Sequence, residues 1–63
     1  MARFEVYKNT HGEYLWRLKL SSGRSIATSG EAYETADAAR ESIAAVRREA
    51  ETADIDDQTA TVF

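Results

Sequence analysis

Apolar and polar residues alternate along the first part of the chain, and then the period changes. Across residues 4–8, Phe4 and Val6 alternate with Glu5 and Tyr7; across residues 14–20, Tyr14, Trp16, Leu18 and Leu20 alternate with Leu15, Arg17 and Lys19. Period two predicts half-buried strands. A third such run covers residues 24–29, and the segments Thr10-His11-Gly12 and Ser21-Ser22-Gly23 separate the three. A three-residue hairpin loop with glycine in the left-handed position sets Val6 opposite Trp16, Phe4 opposite Leu18 and Glu5 opposite Arg17. A slip by one residue would bring phenylalanine beside arginine. The same device at Ser21-Ser22-Gly23 sets Leu18 opposite Ile26 and Trp16 opposite Thr28. A two-residue turn at Ser22-Gly23 is the alternative; it turns Ser25 and Ala27 to the core and adds Ile26 to the other face.

From Thr35 to Glu51 the spacing becomes helical. Ala36, Ala39, Ile43, Val46 and Ala50 recur at intervals of three and four, a stripe suited to lie on a sheet. Thr35 is the expected N-cap, Asp37 suits the positive end of the helix, and Arg47 and Arg48 suit the other end. Alanine lets the two backbones approach closely but buries little area, so Ile43 and Val46 are the large side chains the helix offers. Past the helix, residues 53–58 read as a charged loop. Residues 59–63 are β-branched and apolar enough for a short fourth strand, the alternative being a frayed terminus.

Length changes the picture next. With 63 residues the chain has room for one domain, expected over residues 1–51 with an acidic linker and terminal segment over 52–63. A domain this small buries too little surface to be comfortably stable alone, and the chain has no cysteine for a disulfide and no histidine or carboxylate set for a structural zinc. Self-association into a homodimer is the expected source of the missing burial. The start Met1-Ala2-Arg3-Phe4 lacks an apolar run long enough for a signal peptide, and no stretch spans a membrane, so a cytoplasmic protein is expected.

Charge is unevenly placed. The formal net charge is -3, yet residues 49–63 hold five acidic side chains and no basic one, leaving the first 48 residues mildly positive. Arginine outnumbers lysine six to two; with an acidic total this fits a high-salt protein, and a moderately acidic mesophile chain equally well.

Candidate chemistry is sparse. His11 is the one histidine and sits in the first hairpin loop without an orienting carboxylate, so no catalytic base is assigned. Asp54, Asp56 and Asp57 resemble the start of a calcium loop, but Thr59 replaces the needed glycine and no closing glutamate follows; a solvated acidic linker is the expectation. Glu5, Glu31 and Glu34 have no arguable pocket for acid-base work. Arg3, Arg17, Lys19 and Arg24 with Tyr7 and Leu15 form a candidate basic outer face for nucleic acid, set against an ordinary solvated face with cross-strand pairs such as Glu5 to Arg17.

Phe4, Val6, Tyr7, Gly12, Trp16, Arg17, Leu18, Gly23, Ile26, Ser29, Glu31, Tyr33, Thr35, Ile43 and Val46 together resemble the pattern of the YegP-like domain, a small bacterial and archaeal family of unknown function. The resemblance covers residues 3–47 and implies three antiparallel strands followed by a helix. Some members carry the unit twice, which implies that a single-copy chain pairs with itself. Ser22 stands where asparagine is usual before Gly23, Ala32 where glycine is common before Tyr33, and Ser42 where glycine is frequent before Ile43.

The expectation is therefore an α+β domain, a three-stranded antiparallel meander followed by one helix, assembled as a homodimer and acting as a non-catalytic interaction module toward an unknown protein partner. Trp16, Tyr33, Val62 and Phe63 are the candidate dimer or binding residues. Arg17, Lys19 and Arg24 are the candidates for the alternative, nucleic-acid binding. No catalytic residue, cofactor or metal is expected.

Overall fold

Three strands run antiparallel in the order of the sequence: β1 (Arg3–Lys8), β2 (Tyr14–Lys19) and β3 (Ser25–Thr28), followed by one helix, α1 (Ala36–Ala50). The computed structural model describes residues 1–60. The first hairpin has the register that its side-chain alternation requires, with Phe4 opposite Leu18, Glu5 opposite Arg17 and Val6 opposite Trp16. Its loop is closed from both ends. The Asn9 N–H donates to the Glu13 carbonyl at 2.9 Å, the Asn9 side-chain oxygen accepts from the His11 and Glu13 amides at 2.9 Å each, and Gly12 takes φ +79°. Only glycine adopts that backbone region without strain.

The second hairpin corrects the expected pairing. Its turn is the three-residue loop, with Gly23 at φ +94° and the Leu20 N–H on the Arg24 carbonyl at 2.8 Å. A bulge at Leu18/Lys19 then shifts the register, so Lys19 faces Ser25 while Leu18 faces Ala27 and Arg17 faces Thr28. Ile26 is the extra residue. Neither Leu18–Ile26 nor Trp16–Thr28 forms: Ser29 lies beside Trp16 instead, donating its N–H to the Trp16 carbonyl at 2.9 Å and accepting the Trp16 N–H on its hydroxyl at 3.3 Å. The bulge thus places small side chains, Ala27 and Ser29, against the two large inward side chains of β2.

Thr35 caps α1, its hydroxyl accepting from the Ala38 amide at 3.0 Å. Asp37 occupies the first turn, Arg47 and Arg48 the last, in accord with the helix dipole. The helix lies over β1 and β2 and does not touch β3. Ala39 is fully buried at the crossing, while Ile43 and Val46 are half-buried beside it. Ala50, expected in the stripe, is exposed, because residues 47–50 run past the sheet and are solvated on every side. Among the described residues only Trp16, at 5% exposure, and Ala39, at 0%, are buried. The rings of Phe4 and Trp16 meet edge to face, centroids 5.5 Å apart.

Beyond the helix, residues 53–57 have no regular structure, and Gln58–Ala60 form one 3₁₀ turn where the beginning of a fourth strand was expected. The Asp57 carboxylate accepts from the Thr59 amide and hydroxyl, a local bond that favours a turn over an extended strand. The remainder of that expected strand, with Val62 and Phe63, lies outside the described residues. No helix among the described residues is long and apolar enough to cross a membrane.

The burial of Ala39 sets the distance between helix and sheet. Ala39→Leu is expected to lower unfolding free energy by roughly 1–3 kcal/mol through overpacking, measurable by urea denaturation. A variant as stable as the parent would show that the helix is free to lift.

Candidate functional site

Two surfaces hold Trp16, Tyr33, Arg17 and Lys19, four of the candidates that the structure describes. The first is the seam where helix, sheet and linker meet. Trp16 points from β2 toward α1 and donates its indole N–H to the Ser42 hydroxyl at 3.0 Å; the Tyr33 hydroxyl donates to the same oxygen at 2.7 Å. Tyr33 is itself tied to the end of β2, its amide and carbonyl exchanging bonds with those of Tyr14 at 2.7 and 2.8 Å. One serine oxygen therefore joins the middle strand, the linker and the helix. The side chain of Trp16 is taken up inside its own chain, and Tyr33 is half-buried.

The second surface is the outer sheet face, opposite α1. Strand alternation and the first-hairpin register bring Arg3, Glu5 and Tyr7 of β1 together with Leu15, Arg17 and Lys19 of β2, and the shifted second register adds Thr28 beside Arg17. Glu5 stands between two guanidinium groups, accepting from Arg17 at 2.8 Å and from Arg3 at 2.9 Å. The hydrogen bond from Arg17, then that from Arg3, lowers its carboxyl pKa to about 2. Arg17 also lies over the Tyr7 ring, its guanidinium carbon 4.5 Å from the centroid. Lys19 shares this face. Arg24 does not stand in the same row: it is exposed at the turn, opposite Leu20.

His11 is exposed in the first loop. Glu31 and Glu34 are exposed in the linker before α1, and the partners of Glu5 among the described residues are Arg3 and Arg17. Asp54, Asp56 and Asp57 are exposed along the segment after the helix, and the Asp57 carboxyl is held below its ordinary pKa by the bonds from Thr59. Among the described residues no cavity opens and no group of three His, Cys, Asp or Glu side chains is placed to hold a metal ion.

Sequence reading missed Ser42, Asn9 and Ser29 as organising residues. A signal for Ser42 was present: it falls three residues after Ala39 and four before Val46, spacing that puts a hydroxyl on the buried face of the helix.

The comparison with known proteins matches this architecture. A family described as Domain of unknown function (DUF1508), the YegP-like family, matches residues 9–57. The chain belongs to this family. Its fold is similar to that of a protein from Haloferax volcanii solved by NMR, with 38% sequence identity and a TM-score of 0.84, covering 89% of this chain and 93% of that one. A second solution structure, of a protein from Agrobacterium tumefaciens, shares 31% identity at a TM-score of 0.72, with both chains covered in full. Among curated proteins none matches. Within this DUF1508 member, the hairpin glycines and the seam lie in the matched span, whereas residues 58–63 lie beyond it.

Two measurements test these surfaces. Ser42→Ala leaves an indole N–H and a phenol without their shared acceptor, and is expected to cost roughly 1–2 kcal/mol in urea denaturation with a change in Trp16 emission. Unchanged stability and emission would remove the seam as an organising contact. For Glu5, the depressed folded-state pKa means that ionisation favours the fold: its contribution is present above the ordinary value of 4.5 and is lost as pH falls from there through about 2. The melting temperature is expected to drop across that window, less steeply in Glu5→Gln; equal slopes would deny the pairing.

Proposed function

We propose that this DUF1508 chain is a small, non-catalytic interaction module that works as a symmetric homodimer, with the surface between copies centred on β3. The observation that carries this reading is the state of that strand. All four residues of β3 are exposed, α1 does not reach it, and as the last strand of the sheet it has one backbone edge without a neighbour among the described residues. A sheet edge in that state is a template for another chain.

The two edges of the sheet differ. β1 carries Arg3, Glu5 and Lys8, charges of the kind that keep an edge unpaired, while Ser25, Ile26, Ala27 and Thr28 of β3 carry none. Ile26, left over by the bulge, is 53% exposed, and Leu20 nearby is 38% exposed. A second copy laid along β3 shelters both and supplies burial that a chain of this size lacks. Tyr33 beside the seam, together with Val62 and Phe63, belongs to the proposed surface. Trp16 serves it indirectly, by fixing the seam from within.

A nucleic-acid reading of Arg17, Lys19 and Arg24 has less support. Glu5 engages Arg3 and Arg17, Tyr7 lies beneath the Arg17 guanidinium, and Arg24 stands in another row. Phosphate contact by Arg17 would have to displace an existing partner.

Light scattering over a concentration series is expected to give twice the 7.0 kDa chain mass, and Ile26→Glu to shift the equilibrium toward the single copy. A compact single copy at high concentration would overturn the reading. Short oligonucleotides at low salt are expected not to bind; binding that weakens steeply as salt rises would favour the nucleic-acid role.

A further inference from the structure

β3 carries no charge, but the residues that bracket it carry opposite ones. Arg24 stands immediately before the strand, and Glu31 stands three residues after it. Both are exposed, and among the described residues neither side chain has an ion-pair or hydrogen-bond partner. Lys19, opposite Ser25, adds to the cationic end, and Glu34 follows Glu31 at the anionic end. Between Ser29 beside Trp16 and Tyr33 beside Tyr14, three residues occupy the room that β2 fills with Leu15 alone. Residues 30–32 therefore bow out of the line of the strand and hold Glu31 in solvent. Within one chain the extended step from Arg24 to Ser29 already spans roughly 16 Å, so the two charges cannot meet there.

We infer that β3 of one copy lies antiparallel to β3 of a second, with Arg24 of each copy meeting Glu31 of the other at the two ends of the joined strands. This rests on the homodimer proposed above and gives it a direction and a selectivity. A strand that is cationic before its start, neutral along its length and anionic past its end is complementary to itself only when reversed; laid parallel, like charges would face each other. The backbone fits the same arrangement. The Ser29 N–H is engaged by the Trp16 carbonyl, so alternation turns the N–H and carbonyl of Thr28 toward the free edge. A two-fold axis at Ala27 pairs Thr28 with Ile26 and sets Arg24 across from Gly30 of the second copy; an axis at Thr28 sets it across from Ala32. Either way Arg24 arrives beside Glu31, which lies between those two residues. The helix does not reach β3, so neither copy's α1 obstructs the approach. Two-fold symmetry makes each ion pair occur twice.

Two charge reversals in the full chain test this. Arg24→Glu places acids at both ends of β3, and Glu31→Arg places bases at both, so either variant alone meets like charge at each end of the joined strands. Each is expected to weaken self-association about tenfold at low salt, with circular dichroism and Trp16 emission unchanged. An equimolar mixture of the two is expected to associate as tightly as the wild type in light scattering, because the mixed dimer restores opposite charges at both ends. The gap between wild type and either variant is expected to narrow as salt rises. Variants that dimerise as the wild type does would overturn the ion pairs while the β3-centred dimer stands. So would two weakened variants that fail to rescue each other, or a loss that salt leaves unchanged. A monomeric wild type would remove the dimer reading itself, and the ion pairs with it.

Discussion

The Ser42 oxygen is the point on which this small fold turns. It accepts from the indole of the middle strand and from the phenol of the linker, so three segments far apart in sequence share one atom. A core with only two buried side chains among the described residues has little apolar area with which to specify how helix and sheet cross. Hydrogen bonds are directional where alanine packing is not. The shared acceptor therefore selects one crossing from the several that an alanine stripe would tolerate, and the edge-to-face contact of Phe4 with Trp16 follows from it.

Legibility followed the range of each interaction. The first hairpin was readable because side-chain alternation, glycine at position 12 and the penalty of a one-residue slip all demanded the same register. The helix was readable for similar reasons, from Thr35 to the paired arginines. The second hairpin was half readable. Its turn followed local rules, but its register past the bulge was decided by what fits beside Trp16 and Leu18, a tertiary criterion that local pattern cannot express. Ala50 failed likewise, since periodicity says which side a residue faces and not whether anything lies there.

The candidate surfaces divided along the same line. Glu5 with Arg17 was visible as a cross-strand pair, and Arg3 joined it by sharing the strand face. The linkage of Trp16, Ser42 and Tyr33 was not visible, because a serine in a helix is ordinary until its neighbours across the sheet are known. Membership of DUF1508 agrees with the pattern of aromatics and glycines, and it carries the fold without an activity. What distinguishes the chain physically is asymmetry among the described residues: one edge strand is charged and lies under the helix, the other is neutral and uncovered.

The bulge beside Lys19 bears on how this domain tolerates change. Because one surplus residue separates the turn at Gly23 from the pairs that flank the indole, small alterations in loop length are absorbed before they reach Ala27 and Ser29. The first loop, cross-braced by Asn9, has no such slack. A change of length at residues 21–24 therefore meets the surplus residue Ile26 before the pairs at the indole, provided the left-handed turn at Gly23 is kept.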